Sequence, residues 1–155
     1  MGLKEAMFYK KLKDNKVSCQ LCPRRCIIPK EKTGSCGVRK NIAGKLYSLV
    51  YSKPCAVSIN PIEKKPLYHF FPGEKTLSFA TVGCNLFCSF CQNYDISQAS
   101  PENIFGEFYP PKKIVGLAKK YRTKIISYTY TEPTVFYEYA LDTMKLAKNQ
   151  NLKNV

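Results

Sequence analysis

Three cysteines, Cys84, Cys88 and Cys91, lie in one short segment with the spacing Cys-x3-Cys-x2-Cys. Thiolates on one short loop can converge on one face of an inorganic cluster, and a [4Fe–4S] cluster normally takes four cysteine ligands. Three local ligands therefore leave one iron open to another molecule, much as catalytic metal sites keep an open position. The spacing predicts a reactive cluster rather than a purely structural one.

The elements around this segment alternate between strand and helix from residue 76 onward. Apolar and β-branched residues predict a buried strand at 76–82 and a second strand at 124–131, and 152–155 resembles the start of a third. Helices are predicted to open at Pro110-Pro111 and near Thr134. Such alternation is typical of parallel βα units, with both faces of the sheet buried.

Two and a fraction βα units cannot close an eight-unit barrel, which typically needs about 250 residues. We therefore expect an α/β fold made of the opening βα units of a truncated, partial (βα) barrel. The chain is expected to be the first part of a longer protein, either an incomplete reading frame or one half of a split protein.

The first half of the chain predicts a different organisation. Residues 1–15 are expected to form a short helix with Leu3, Met7 and Leu12 along one side, and residues 44–51 a strand. Residues 53–74 are interrupted by prolines and predict an extended connector with few regular hydrogen bonds. The predicted domains are a cysteine-rich module with its connector at 1–75 and the truncated barrel domain at 76–155.

A second group of cysteines in the first half has the spacing C-x2-C-x3-C-x9-C. It consists of Cys19, Cys22, Cys26 and Cys36. These thiols are predicted to bind a metal, either as a closed four-thiolate zinc site or as the ligands of an auxiliary iron–sulfur cluster. The spacing does not choose between the two, and four free buried thiols are the less favoured alternative. Cys55 is left over and is expected to be a buried thiol, with ligation of the N-terminal site as the alternative.

Composition limits the compartment and the partners. The 155 residues include eight cysteines, the first residues are too lysine-rich for a signal peptide, and no stretch approaches the roughly 20 apolar residues of a membrane helix. A cytoplasmic protein is expected, where clustered cysteines favour metal over disulfides. The net charge of +14 comes from basic residues scattered in ones and twos, which favours a solvated surface over attraction to nucleic acid or to an acidic partner protein.

Four separate motifs, in order, resemble the AmmeMemoRadiSam system radical SAM proteins, relatives of pyruvate formate-lyase activating enzymes. The resemblance covers the whole chain but only about the first half of a typical family member. The motifs are Cys19-Gln-Leu-Cys22-Pro-Arg-Arg-Cys26 with Gly34-Ser-Cys36-Gly-Val-Arg, Asn60-Pro-Ile-Glu-Lys-Lys-Pro-Leu-Tyr-His-Phe70, Gly83-Cys84-Asn-Leu-Phe-Cys88-Ser-Phe-Cys91-Gln-Asn93, and Tyr128-Thr-Tyr-Thr-Glu-Pro-Thr134.

The resemblance implies that Cys84, Cys88 and Cys91 each bind one iron of a [4Fe–4S] cluster. The fourth iron would chelate S-adenosylmethionine (SAM), whose reductive cleavage yields a 5′-deoxyadenosyl radical that abstracts hydrogen from an unknown substrate. Phe90 matches the family position that packs on adenine, and ordinary core packing is the alternative. The implied partners are a one-electron reductant such as a ferredoxin or flavodoxin, a substrate that includes proteins among its candidates, and the missing barrel half, with a second chain as one option.

Glu132 follows the second predicted strand and could accept hydrogen bonds from the amino group of SAM. Many members of the superfamily use a Gly-Gly-Glu segment there, whereas Tyr130 and Thr131 precede Glu132. The alternative is a glutamate that stabilises the N-terminus of the next helix. Four tyrosines of the second strand and the following helix are expected to pack in the barrel core rather than form a redox relay: Tyr128, Tyr130, Tyr137 and Tyr139. His69, the only histidine, is expected to be packed and hydrogen-bonded rather than catalytic.

Two other classes of function compete with this interpretation. A non-catalytic iron–sulfur, zinc or electron-transfer module would have all its irons bound by protein and would not respond to SAM. A nucleic-acid-binding zinc protein would bind with a steep salt dependence, but no basic stripe with interleaved aromatics supports it. Under the favoured interpretation, the 155 residues alone are expected to be poorly active or inactive.

Overall fold

The computed structural model describes residues 3–155. Within that range, short strands form three sheets. In the second half of the chain, strands alternate with helices. The strands are β1 Lys4–Glu5, β2 Tyr9–Lys11, β3 Val17–Cys19, β4 Ile27–Ile28, β5 Arg39–Ile42, β6 Lys45–Ser48, β7 Ala56–Pro61, β8 Lys75–Ala80, β9 Ile125–Tyr128 and β10 Lys153–Asn154. The α-helices are α1 Tyr94–Ser97, α2 Pro111–Lys120 and α3 Tyr137–Asn149, and short 3-10 helices lie at Ile62–Lys64 and Pro133–Phe136.

The largest sheet has the strand order β10-β9-β8-β7. Strands β8, β9 and β10 are parallel, and α2 and α3 follow β8 and β9 along the chain. The predicted alternation of strand and helix from residue 76 is therefore confirmed. These mixed α/β sheets fit the predicted fold class, and the partial barrel remains a prediction.

One face of this sheet packs on the helices. Leu77 and Phe79 of β8 alternate with Thr76 and Ser78, and the ring of Phe79 lies 5.2 Å from that of Tyr139 in α3, measured between centroids. The main core joins these strand residues to the buried sides of both helices. Its fully buried members include Val38, Val50, Leu77, Phe79, Val82, Ile114, Ala118, Ile126, Phe136, Tyr139 and Ala147.

The opposite face of the sheet carries hydroxyl groups. Side chains at alternate positions of a strand share a face, and the register places Ser58, Ser78 and Ser127 side by side on β7, β8 and β9. The Oγ1 atom of Thr76 and the Oγ atom of Ser127 lie 2.7 Å apart. This face therefore differs in chemistry from the apolar face beneath the helices.

Two small sheets, β1-β6-β5 and β2-β3-β4, replace the helix predicted for the first 15 residues. That prediction is wrong for residues 3–15, and residues 1 and 2 lie outside the described part. Leu3, Met7 and Leu12 are all more than 40% exposed, so no apolar helix face is buried. Instead, Lys4 pairs with Ser48 and β2 pairs with β3, whose Val17 is fully buried.

The predicted connector contains a regular strand, so the expectation of few regular hydrogen bonds is wrong at 56–61. Strand β7 pairs with β8 in antiparallel register from Ala56–Ala80 to Pro61–Lys75. Proline is tolerated because β7 is an edge strand and Pro61 is its last residue. This strand lies in the predicted first domain but joins the sheet of the second. Within the described residues, no helix is both long and apolar enough to cross a membrane.

Candidate metal centre

The segment with the three cysteines, here called the cluster loop (residues 83–91), begins three residues after the end of β8. Gly83 has φ +91°, a backbone conformation that residues with a side chain rarely adopt. A Cβ atom on Gly83 would lie 2.4 Å from Cγ1 of Val38 and 2.7 Å from the carbonyl oxygen of Cys36. Glycine is therefore required at the start of the loop, because the backbone rests directly on the N-terminal part of the chain.

The three thiols of the cluster loop are free and differ in exposure. Cys84 is buried, Cys91 is half-buried and Cys88 is exposed. The amide of Leu86 donates to Sγ of Cys84 at 3.4 Å, and Sγ of Cys91 lies 3.5 Å from the hydroxyl of Ser97. Hydrogen bonds to sulfur and solvent exposure are two of the factors that set the potential of an iron–sulfur cluster. Three thiols with such neighbours on one loop fit the chemistry of a [4Fe–4S] cluster.

Within residues 3–155, no three side chains of histidine, cysteine, aspartate or glutamate are placed to hold one metal ion. An iron–sulfur cluster does not need such a point of convergence, because each thiolate binds a different iron. The spread of the three thiols over the cluster loop is therefore compatible with a cluster.

Phe90 projects from the cluster loop into solvent and is 88% exposed. Ordinary core packing, the alternative considered for this residue, is therefore wrong. Leu86 and Phe87 are also exposed, and the guanidinium of Arg24 lies 4.8 Å from the ring centroid of Phe87. The loop thus presents apolar side chains beside its thiols, and the contact of Phe90 with adenine remains a prediction.

Glu132 lies beyond the end of β9, on the side of the sheet where the cluster loop follows β8. The hydroxyl of Thr131 donates to the carbonyl of Thr81 at 2.9 Å, which joins the two strand ends. Oε1 of Glu132 accepts from the amide of Thr134 at 3.2 Å and from its hydroxyl at 2.7 Å. Glu132 therefore caps the 3-10 helix Pro133–Phe136, as the alternative predicted, and its contact with SAM remains a prediction.

Tyr130 is a polar site residue that sequence reasoning missed. Its hydroxyl lies 2.6 Å from Oγ of Ser58 and accepts from Nδ2 of Asn60 at 3.0 Å. Its backbone carbonyl accepts from Nδ2 of Asn93, two residues after the cluster loop, at 3.0 Å. Strand β9 ends at Tyr128, Tyr130 has φ +68°, and its hydroxyl lies over the hydroxyl-bearing face of the sheet. The packing of Tyr130 in a barrel core remains a prediction. The signal in the sequence was the pair of polar residues in β7, Ser58 and Asn60, which contact the Tyr130 hydroxyl.

The charge around Tyr130 favours its ionised form. Nζ of Lys65 lies 4.3 Å from the ring centroid. Burial alone raises the pKa of Tyr130, but the hydrogen bond with Ser58 and the positive charge of Lys65 outweigh it and lower the pKa below its ordinary value. A phenol with a lowered pKa therefore lies at the edge of the sheet beside the cluster loop.

Comparison with known proteins adds a family to this geometry. Residues 79–155 match the family described as the Radical SAM superfamily. This match supports the radical SAM superfamily for this chain. The matched residues include the end of β8, the whole cluster loop, β9 and β10. Radical SAM proteins use a [4Fe–4S] cluster and SAM, and the assignment to the AmmeMemoRadiSam group remains a prediction.

A curated protein is similar to nearly the whole chain. Over 153 residues, the chain is 50% identical to an uncharacterized protein of Methanocaldococcus jannaschii. The similarity covers 99% of this chain and 46% of the relative, so the chain spans about half the length of the curated relative it matches. No solved structure matches the chain.

The four cysteines of the first half line one small cavity of about 20 Å³. Cys19 ends β3 and Cys26 precedes β4, and the amide of Cys19 donates to the carbonyl of Cys26 at 2.9 Å. Cys22 lies in the turn between them, and Cys36 comes from the loop before β5. The structure therefore brings together the set that spacing predicted, and burial raises the pKa of the Cys36 thiol. Metal binding at this set remains a prediction.

Cys55 lines a different cavity from the four N-terminal cysteines, and His69 lies in the loop between β7 and β8. Sγ of Cys55 donates to the carbonyl of Ala80 at 3.6 Å, and burial raises the pKa of this thiol to about 11. Cys55 is half-buried rather than buried. The predicted packing of His69 is wrong, because the side chain is exposed in the loop between β7 and β8.

Proposed function

We propose that this chain forms the cluster- and SAM-binding part of a radical SAM enzyme. The observation that carries the proposal is the position of Cys84, Cys88 and Cys91 on one loop after a parallel strand, within the residues that match the family. Membership of the superfamily suggests SAM-dependent radical chemistry and therefore an enzyme. When bound, the cluster and SAM supply one-electron reductive cleavage and a 5′-deoxyadenosyl radical for hydrogen abstraction.

The residues of the cluster loop would bind the irons and adjust the charge on sulfur. Cys84, Cys88 and Cys91 would supply one thiolate to each of three irons, and the fourth iron would be left to SAM. The Leu86 amide and the Ser97 hydroxyl lie within hydrogen-bonding distance of sulfur and would stabilise negative charge there. Exposure of Cys88 would give an electron donor close access to the cluster.

Phe90 of the cluster loop and Glu132 beyond the end of β9 are proposed to orient SAM. The ring of Phe90 is exposed, so its face is available for adenine. Glu132 would accept a hydrogen bond from the cationic amino group. A carboxylate offers about four lone-pair directions, so the contact with Thr134 through Oε1 leaves Oε2 with acceptor capacity for the amino group.

The partners proposed are a one-electron reductant such as a ferredoxin or flavodoxin, and a substrate whose identity the described residues do not reveal. The net charge of +14 supports an acidic carrier protein as the electron donor, since opposite charges steer association. The resemblance to activating enzymes includes proteins among the substrate candidates. Reduction by the carrier protein should therefore slow as ionic strength rises, because salt screens this attraction.

Electron paramagnetic resonance (EPR) of the anaerobically reconstituted, reduced chain tests the proposal. The wild type is compared with Cys84→Ala and with Cys55→Ala, a matched control because Cys55 lies outside the cluster loop. We expect a [4Fe–4S] signal that changes when SAM is added, is lost in Cys84→Ala and persists in Cys55→Ala.

Two results would overturn this proposal. A cluster that forms but does not respond to SAM would identify an electron-transfer module. A cluster that persists in Cys84→Ala at the wild-type iron content would show that the cluster loop is not its site.

A further inference from the structure

We propose that Cys19, Cys22, Cys26 and Cys36 bind one Zn²⁺ in a closed, structural site, and that this site supports the cluster loop. The proposal does not depend on the radical chemistry proposed above, because it concerns a different set of thiols. It goes beyond the superfamily match, which covers only residues 79–155 and leaves this group outside.

The backbone brings the four cysteines to two neighbouring turns. Cys19 and Cys26 face each other across the β3–β4 pair, and the amide of Arg25 donates to the carbonyl of Cys22 at 3.2 Å to form the turn between the strands. In the second turn, the amide of Gly37 donates to the carbonyl of Gly34 at 2.9 Å, with Cys36 between them. Structural zinc sites commonly take their ligands from such turns, with one C-x2-C pair.

The cavity is large enough for a single ion. Its volume is about 20 Å³, and a site for one water molecule needs about 10–15 Å³. One ion fits that space. Within residues 3–155 no three of these thiols are yet placed to hold one ion, so zinc binding requires rotation about the Cα–Cβ bonds between staggered positions.

A buried donor without a partner points to an anionic site. Arg39 lines the same cavity and is 2% exposed, and its Nη atoms bind Glu138 and the carbonyl of Met7. Among the residues that the structure describes, its buried Nε has no hydrogen-bond partner. Buried donors are normally paired. Four thiolates around Zn²⁺ carry a net negative charge. A thiolate sulfur would give the Nε–H of Arg39 an acceptor, and the guanidinium would neutralise part of the charge of the zinc site.

The proposed zinc site lies directly behind the cluster loop. Asn85 lines the cavity together with Cys36, and Nε of Arg24 donates to the carbonyl of Asn85 at 2.9 Å. Gly83 rests on the carbonyl of Cys36, as described above. Bound zinc would therefore fix the two turns against which the first residues of the cluster loop are held.

The test uses the full chain with Cys84, Cys88 and Cys91 all replaced by alanine, so that the cluster loop contributes no metal. Zinc, iron and acid-labile sulfide are measured after anaerobic purification. We expect one zinc per chain, its loss in Cys22→Ser added to this background, and its retention in Cys55→Ser. Cys22 is half-buried in a turn, so serine should be tolerated there.

Replacement of zinc by Co²⁺ tests the ligands in the folded chain without any substitution among them. We expect the visible absorption of tetrahedral cobalt with sulfur-to-metal charge-transfer bands, both displaced by added Zn²⁺. Removal of zinc by a chelator should lower the melting temperature, and addition of zinc should restore it.

Three results would overturn the proposal. Iron and sulfide bound in the triple-alanine background, and lost with Cys22→Ser, would replace zinc by an auxiliary cluster. A folded chain that binds neither zinc nor cobalt would remove the site. Zinc retained by a folded Cys22→Ser variant would show that this group does not supply the ligands. Each result is independent of the EPR experiment, which reports on the cluster loop.

Discussion

Gly83 and Cys36 are in contact through their backbones, although 47 positions separate them in the sequence. A Cβ atom on Gly83 would lie 2.7 Å from the carbonyl oxygen of Cys36. The first residue of the cluster loop therefore rests on the turn that carries the last cysteine of the N-terminal group. The two groups of cysteines belong to one continuous piece of structure, and a change at this contact should affect both.

Alanine at position 83 should disrupt this contact. The new methyl group would meet Cγ1 of Val38 and the Cys36 carbonyl, and φ is +91°. Overpacking and strain of this kind cost about 1–3 kcal/mol each. We expect the free energy of unfolding, measured by urea denaturation, to fall by at least that amount, and the iron content after reconstitution to fall as well.

Gly116→Ala is the matched control for that experiment. Gly116 lies on the exposed side of α2, and no heavy atom lies within 4 Å of a Cβ built there. Alanine in a helix is more stable than glycine by about 0.5–1 kcal/mol. The control should therefore become more stable, and an unchanged stability of Gly83→Ala would contradict the tight contact.

A buried ion pair ties α3 to the N-terminal sheets. Nη1 of Arg39 in β5 lies 2.9 Å from Oε1 of Glu138 and 3.0 Å from Oε2, and the amide of Met7 donates to Oε1 at 2.7 Å. Removal of one partner of a buried pair typically costs about 3–5 kcal/mol. We expect Glu138→Gln to lower the free energy of unfolding by that amount in urea denaturation.

Two variants separate the buried charge from loss of packing. Lys45→Gln removes an exposed pair with Glu5 at 3.9 Å and should change stability by less than about 1 kcal/mol. The double variant Arg39→Met/Glu138→Leu removes both buried charges and should recover much of the loss. A double variant no more stable than Glu138→Gln would assign the effect to the hydrogen bonds with Met7.

Tyr130 should ionise at lower pH than the tyrosines whose pKa burial raises. Burial raises its pKa, but the hydrogen bond with Ser58 and the charge of Lys65 give a net lowering. Burial, by contrast, raises the pKa of Tyr9 to about 12 and also raises that of Tyr128. The difference in phenolate absorbance between wild type and Tyr130→Phe should therefore show a transition below the ordinary pKa of about 10.

The charge of Lys65 can be tested in the same titration. Lys65→Met removes a cation 4.3 Å from the ring centroid, so the phenolate loses a stabilising charge and the pKa of Tyr130 should rise. Lys112→Met, on the exposed side of α2, should leave the transition unchanged. An equal shift in both variants would indicate an effect of net charge rather than of this contact.

The sequence was sufficient for features that depend on local pattern. Strand β8 and helix α2 follow from apolar periodicity and from Pro111 in the first helical turn. The cluster loop follows from the spacing of its cysteines. Strand β7 could not be predicted from the sequence because prolines surround it, and its hydrogen bonds are made with β8, which is distant in the local pattern. The predicted N-terminal helix is wrong because this segment pairs as strands with β6 and β3, and its apolar side chains remain exposed.

The rest of the site depends on contacts between distant positions. Arg39 and Glu138 are 99 residues apart, and Ser58 and Tyr130 are 72 apart, so neither pair has a local signature. The requirement for glycine at position 83 arises from Val38 and the Cys36 carbonyl, which only the folded chain brings there. Spacing alone can group the four N-terminal cysteines, but only the fold places them behind the cluster loop.

Glu132 has a structural role in this chain and a proposed role with SAM, and two substitutions separate them. Glu132→Ala removes the acceptor for the Thr134 amide and hydroxyl, and loss of a helix cap costs about 0.5–2 kcal/mol. Glu132→Gln keeps a side-chain oxygen for the cap, so its stability should remain close to that of the wild type. Urea denaturation of both variants measures this difference.

The affinity for SAM should follow a different order. A hydrogen bond to a charged group contributes about 1.5–3 kcal/mol, which corresponds to about tenfold or more in affinity. Both Glu132→Gln and Glu132→Ala lose the negative charge, so both should bind SAM at least about tenfold more weakly in titrations of the reconstituted protein. Wild-type affinity in Glu132→Gln, together with wild-type stability, would limit Glu132 to the cap and leave the amino group to another acceptor.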